Sequence, residues 1–393
     1  MFQTTNFVTN PDHFHFPQFP YALTFDDVLL LPGYADFSRG EIDLTTHLTR
    51  TITIKTPLIS APMDTVTEAA LAIAIAEQGG IGILHRNLAV DDQAEQVKQV
   101  KTAGQLVGAA IGASKGFEER AAALVAAGVD VLVIDSAHGF AKHIIEAVQF
   151  LKRTYPTLQV IAGNVATYDG AKALIKAGAD AIRVGMGPGS ICTTRIVSGM
   201  GVPQLTAIIE TVRAGHEAGV PIIADGGIKY SGDMMKALAA GASTVMMGSF
   251  FASSQESPGQ KMELTPDQIP LKFKYLLRNK QEKYLFKTYR GMGSMGAMEQ
   301  GAKIKSEDEF HGKSYYKDKV LVAEGVEGLV PVKGTVKEIM EQAIGGITSG
   351  MYYVGVKTIE ELWREAQFIQ ITQASLIESH PHDLVITNAG KSY

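Results

Sequence analysis

A strand–helix unit repeats eight times along this chain and constrains its fold more than any other feature. A short β-branched run ends in a small or polar residue, and an Ala-rich helical stretch follows. The runs are Pro57–Ser60, Gly80–His85, Leu106–Ala110, Val131–Asp135, Val160–Asn164, Ala181–Gly185, Val220–Asp225 and Thr244–Gly248. They are apolar throughout, as parallel strands covered on both faces must be. Helices are expected over Phe117 to Ala127, Gly170 to Ala177 and Asp233 to Ala240. Each closes on an Ala-Gly pair, which suits a left-handed cap before the next strand. Eight units predict a (β/α)8 TIM barrel, a single catalytic domain spanning 1–393. A doubly wound open sheet is the alternative. It explains less well why Ser60, His85, Asp135, Asn164, the Gly187 loop, Asp225 and Gly248 all close strands, whereas in a barrel these residues ring one mouth.

The pattern breaks over 259–334, where charges, tyrosines and glycines dominate. This is expected to be an irregular, mobile flap-type insertion after the last barrel strand, with its Lys/Glu-rich parts a surface excursion. Helical periodicity resumes near Val336 to Gln342 and Ile359 to Gln367. Residues 1–20 form an N-terminal extension with no assignable pattern. A net charge of -5 suggests neither a nucleic-acid nor an anionic-membrane partner. No apolar run reaches membrane-spanning length, and no secretory signal is apparent at the N-terminus. One cysteine cannot form an internal disulfide, so a cytoplasmic setting is expected.

That cysteine lies in Gly187-Pro188-Gly189-Ser190-Ile191-Cys192-Thr193-Thr194-Arg195. Glycines allow backbone groups close to a ligand, and a polar loop at a barrel mouth suits a reactive thiolate. The bland reading is a glycine-rich turn with an incidental cysteine. Asp225-Gly226-Gly227-Ile228 and Met247-Gly248-Ser249 follow late strands, where barrels often hold a phosphate. They indicate a phosphate-bearing ligand, nucleotide or flavin. Asp225 and Asp135 are placed to accept from ribose hydroxyls, and Asn164 to orient a substrate. His138 is read as a structural hydrogen-bonder. No transition-metal spacing is present.

These segments resemble the IMP dehydrogenase/GMP reductase family. The resemblance is carried by Leu23-Thr24-Phe25-Asp26-Asp27-Val28-Leu29-Leu30, Ser60-Ala61-Pro62-Met63-Asp64-Thr65-Val66-Thr67-Glu68 and the Cys192 loop. Ala224-Asp225-Gly226-Gly227, Tyr289-Arg290-Gly291-Met292-Gly293-Ser294 and Ala323-Glu324-Gly325-Val326-Glu327-Gly328 extend it, so that it runs from about Ala22 to Asp383. It implies an enzyme of guanine nucleotide synthesis that oxidises IMP to XMP with NAD+, as a homotetramer. Cys192 would form a covalent thioimidate at purine C2. Ser60, Met63, Asn164, Ser190, Asp225, Gly227, Gly248, Ser249, Tyr289, Gly291, Met292, Gly293 and Glu324 match substrate-contacting positions. Asp135 and Ser136, with Gly185 and Gly187, match the NAD-facing ones. Gly187, Gly189 and the Cys192 carbonyl match a K+ site, completed from a neighbouring subunit by a segment like Glu378-Ser379-His380.

Two departures qualify the resemblance. Most members insert a pair of regulatory CBS modules between the second and third barrel units, and these are expected to be absent here. The family's flap also carries an Arg-Tyr pair that activates water. Here Phe310-His311-Gly312-Lys313-Ser314-Tyr315-Tyr316-Lys317 offers Tyr315 or Tyr316 for the tyrosine and no preceding arginine. Lys313 is not equivalent to a guanidinium. Thr194 and Glu324 are then the alternative base. GMP reductase, reducing GMP to IMP and ammonia with NADPH, is the second reading. A turnover-impaired nucleotide-binding homologue is the third.

Overall fold

A computed structural model describes residues 20–308, 322–384 and 386. Eight strands form a closed barrel: β1 Leu58–Ser60, β2 Ile81–Leu84, β3 Val107–Ile111, β4 Val131–Asp135, β5 Gln159–Val165, β6 Ala181–Val184, β7 Ile222–Asp225 and β8 Thr244–Met247. All are parallel and follow chain order, and β8 pairs with β1 to shut the ring. The open-sheet alternative is thereby excluded.

Period-two burial explains why these runs are apolar on both faces. Ile59, Ile81, Ile83, Val131, Val133, Ile161, Ile223 and Met246 fill the interior. Their neighbours Leu58, Leu84, Leu132, Ile134, Ile182 and Val245 pack outward with residues of the surrounding helices. Leu48 and Ile54, within a small hairpin, join the interior cluster. The hairpin region is anchored where strands begin: Thr46 Oγ1 donates to the Ser243 carbonyl (2.9 Å) and Thr49 Oγ1 to Gln159 Oε1 (2.8 Å).

The helices, with their short companions, are α1 Ala69–Glu77, α2 Val90–Thr102, α3 Phe117–Ala126, α4 Lys142–Thr154, α5 Tyr168–Ala177, α6 Thr194–Ser198, α7 Gln204–Ala218, α8 Ser231–Ala239, α9 Ser249–Ala252, α10 Met295–Asp308, α11 Val336–Val354, α12 Ile359–Glu365 and α13 Gln373–Glu378. The expected Ala-Gly closures are present: Gly178 follows α5 at φ 106° and Gly241 follows α8 at φ 103°, the left-handed region that favours glycine. A single helix, α2, joins β2 to β3.

Helix α11 runs well beyond Gln342, through Gly345, Gly346 and Gly350. Glycine weakens a helix locally. Here tertiary contact overrides that weakness, because a Cβ on Gly346 would lie 2.2 Å from Ser231 Oγ and one on Gly350 2.6 Å from Met235 Cγ. The glycines let α11 lie against α8.

The described part of the insertion is more regular than the sequence suggests. It contains a three-stranded antiparallel sheet in the order β9 Lys261–Leu264, β10 Tyr284–Arg290 and β11 Glu327–Pro331. Ile269, Tyr284 and Phe286 form its own small core. The strands pair across long sequence separations, so no local period announces them. Residues 1–19 and 309–321, including Lys313, Tyr315 and Tyr316, lie outside the described residues.

Candidate active site

A cleft of about 480 Å³ opens where the strands end. Its wall is built from loops after β1, β4, β5, β6, β7 and β8, together with Tyr289, Gly291 to Gly293 and Glu324 from the insertion. Met63, Asp135, Ser136, Asn164, Gly185, Gly187, Gly189, Ser190, Asp225, Gly227, Gly248 and Ser249 all line it. Ser60 does not. It is fully buried, and its hydroxyl accepts from Thr67 Oγ1 at 2.8 Å.

Cys192 is only partly buried and unpaired. Its loop is pinned by residues 324–326, late in the insertion. Thr193 N donates to the Glu324 carbonyl (3.0 Å), Val326 N donates to the Ile191 carbonyl (2.9 Å), and Cys192 faces Gly325 across an antiparallel bridge. Glu324 N in turn donates to the Gly293 carbonyl at 3.0 Å, and Gly291 N to the Val326 carbonyl at 3.1 Å. Three separate motifs thus become one stacked backbone. A side chain at Gly291 would press on Ile191 O and Gly325 Cα, each 3.3 Å from its Cβ.

The side chains above that backbone make a relay. Cys192 Sγ lies 3.2 Å from Thr194 Oγ1 and donates to it, and Thr194 donates to Glu324 Oε2 at 2.8 Å. A thiol, a hydroxyl and a carboxylate in line are what a nucleophile and a base for its adduct require.

Across the mouth, a buried guanidinium organises the polar wall. Arg183 on β6 bonds Asp135 on β4 and Asp225 on β7, the latter through Nε at 2.9 Å. Asn164 Nδ2 also donates to Asp225 (2.8 Å) and to the Gly185 carbonyl (2.9 Å). Burial alone would push the Asp135 carboxyl up, but Arg183 and Arg86 beside it hold it below the usual carboxylate range. Burial disfavours the Arg183 charge, but Asp225 and Asp135 more than compensate and raise its pKa. Sequence reasoning passed over Arg183. The signal was there: one charged residue inside an otherwise apolar, fully buried strand.

The insertion is clamped onto the barrel by Arg290, whose guanidinium grips Asp64 (Nε–Oδ1 3.1 Å, Nη2–Oδ2 2.6 Å). Asn87 Nδ2 donates to the same carboxylate at 2.9 Å. This fork fixes Met63 and the Tyr289–Gly293 turn relative to each other. Burial pushes the Tyr289 phenol well above its ordinary pKa, so it stays protonated, with Ser190 and the Ser249 backbone as hydrogen-bond partners. Gly248 is held to glycine by contact, because a Cβ there would sit 2.6 Å from the Tyr289 hydroxyl and 2.9 Å from Met63 Sδ.

Glu378, Ser379 and His380 do not line the cleft within one chain. Glu378 ends α13, which packs beside Phe25–Asp27, Ser379 and His380 follow it, and the His380 ring lies edge-on to Tyr230 at 6.2 Å. Among the described residues, no group of three or more His, Cys, Asp or Glu side chains could hold a metal ion. No described helix is long and apolar enough to cross a membrane.

Residues 22–382 match the IMP dehydrogenase / GMP reductase domain profile. The chain belongs to that family. It is 38% identical to the inosine-5'-monophosphate dehydrogenase of Aquifex aeolicus, over 95% of this chain and 97% of the relative. The enzymes of that name from Halalkalibacterium halodurans and Escherichia coli K12 are also 38% identical, each over 95% of this chain and 98% of theirs. The Aquifex alignment runs to 500 positions against the 393 residues here, so that family member carries over a hundred positions with no counterpart in this chain. In the structure, α2 alone stands between β2 and β3 of the barrel.

Proposed function

We propose that this chain is an IMP dehydrogenase that oxidises IMP to XMP with NAD+ through a covalent adduct on Cys192. The observation that carries the reading is the Cys192–Thr194–Glu324 relay, 3.2 and 2.8 Å in its two steps, facing a cleft with phosphate-type turns at Gly227 and Gly248. All three relatives above bear the dehydrogenase name. The reductase alternative is therefore not carried further.

Cys192 would add to C2 of the hypoxanthine as its thiolate, the thiol proton leaving to solvent. NAD+, when bound, supplies the acceptor for the hydride that leaves C2. Loss of that hydride leaves a thioimidate between Cys192 and the purine. Water then adds at C2, one proton going to the Thr194–Glu324 pair, and the C–S bond breaks to release XMP as that proton passes to sulfur and restores the thiol. Met63, Tyr289 and Ser249 border the phosphate end. Asn164 and Asp225 would hold the ribose and base.

Asp135, kept ionised by Arg183 and Arg86, fits ribose hydroxyls of a dinucleotide and faces the cleft beside Ser136 and Gly185. The carbonyls of Gly187, Gly189 and Cys192 are neutral oxygens of the kind that suit K+, and the Gly189 carbonyl already turns the loop by accepting from Cys192 N at 3.1 Å. Glu378, Ser379 and His380 of a second subunit would complete such a site in a homotetramer. The single free cysteine suits a cytoplasmic enzyme.

Purified protein given IMP, NAD+ and K+ should produce NADH steadily, with XMP as the other product. Consumption of NADPH with GMP, and none of NAD+ with IMP, would overturn the assignment. One stoichiometric burst of NADH without turnover would mark a chain that forms the adduct and fails to hydrolyse it.

A further inference from the structure

We propose that Lys287 is a positioning residue for the phosphate end of the substrate. Its ammonium ties the turn after α9, and with it Gly248 and Ser249, to the strand that carries Tyr289. This rests on the substrate reading above.

A lysine on a sheet strand normally keeps its charge in water. Lys287 is completely buried. Its Nζ donates to the carbonyls of Ser254 (2.8 Å), Gln255 (2.9 Å) and Ser257, and to the Ser257 hydroxyl at 2.9 Å. Burial lowers it to about 8, with Lys261 on β9 adding to the fall and Glu256 opposing it, so at neutral pH the group is a cation. A buried cation needs such an oxygen cage, and the cage in turn loses its only charged donor if the cation goes.

What the cage holds explains its use. Lys287 and Tyr289 are two residues apart on β10 and so project to one face. Tyr289 meets Ser190 and the Ser249 backbone at the start of α9. Lys287 meets the turn at its end. A one-turn helix has almost no stability of its own, so its placement is set by whatever grips its two ends. The far side of the same turn is pinned by Lys333 N to the Ser253 carbonyl (2.8 Å) and Gln255 N to the Gly334 carbonyl (2.9 Å). Gly248 and Ser249 therefore sit at a distance from Tyr289 that Lys287 controls. Cys192 is positioned by a different set of bonds, those to Glu324–Val326.

The chain has one cysteine, so iodoacetamide reads Cys192 alone. The rate of alkylation is measured against IMP and, separately, against inosine, which lacks the phosphate. In Lys287→Met the IMP concentration for half-protection should rise about tenfold or more, while that for inosine stays unchanged and the unprotected rate matches wild type. Equal shifts for both ligands, or no shift for either, would overturn the role. Ser257→Ala keeps the charge and removes one acceptor. It should show the same IMP-only shift at about two- to threefold, and it carries the test alone if Lys287→Met does not fold. If IMP fails to protect wild-type Cys192, the substrate reading falls and this inference with it.

Discussion

Thr194 donates a 2.8 Å hydrogen bond to Glu324, a residue 130 positions further along the chain, while standing 3.2 Å from the sulfur of Cys192. The pair is thus already assembled beside the proposed nucleophile. Glu324→Gln keeps the shape and removes the proton acceptor. Turnover should fall by about 10²- to 10⁴-fold, the usual worth of a general base. A rapid NADH burst of one per site should survive, because hydride leaves before water adds. Stopped-flow absorbance checks both, and an undiminished steady state would dismiss Glu324 as the base.

Cys192→Ala should abolish the burst as well as turnover. IMP should still bind, as followed by calorimetry, since the phosphate and ribose contacts lie elsewhere in the cleft. Any residual NADH from this variant would rule out the covalent route.

Arg183 sets a pH limit. The depressed pKa of Asp135 means its folded form binds fewer protons than the unfolded chain in the acid range, so its contribution to stability is present above the unfolded value of about 4 and is lost as pH falls through the lower folded value. In Arg183→Gln, burial acts with less opposition and the Asp135 pKa rises. An acid limb should then appear in kcat/KM for NAD+ at higher pH than in wild type. Superimposable profiles would show that Asp135 does not need Arg183.

Gly248→Ala forces a methyl group to within 2.6 Å of the Tyr289 hydroxyl and 2.9 Å of Met63 Sδ. The expected result is a KM for IMP raised by about tenfold or more, with less change in KM for NAD+, from initial-rate kinetics.

Gly346→Ala tests packing far from the cleft. The new Cβ would fall 2.2 Å from Ser231 Oγ and 2.4 Å from Ser231 Cβ, driving α11 off α8. Overpacking of this kind costs about 1–3 kcal/mol, read as a lower urea midpoint. A midpoint equal to wild type would mean that the two helices can part freely.

The barrel was legible because its determinants are local. Each strand is its own short, almost wholly apolar run, and glycines such as Gly178 and Gly241 close helices through a backbone angle that needs no distant partner. The glycine loop around Cys192 and the turns at Gly227 and Gly248 were legible for the same reason: their residue types restrict what a strand end can do. The short sheet of the insertion was not, because β9, β10 and β11 pair across long separations and its strands do not alternate cleanly. Lys287, which reads as a solvated charge, lies at the centre of an oxygen cage. Arg183 reads as an oddity within a strand, and its meaning comes from carboxylates on β4 and β7. Ser60 reads as a mouth residue but is buried, its hydroxyl taken by Thr67. By itself, then, the sequence determined the architecture and singled out Cys192 as the candidate nucleophile. Only the tertiary structure decided which charges are buried and what they hold, since a charge in low dielectric is defined by partners that folding brings to it from elsewhere in the chain.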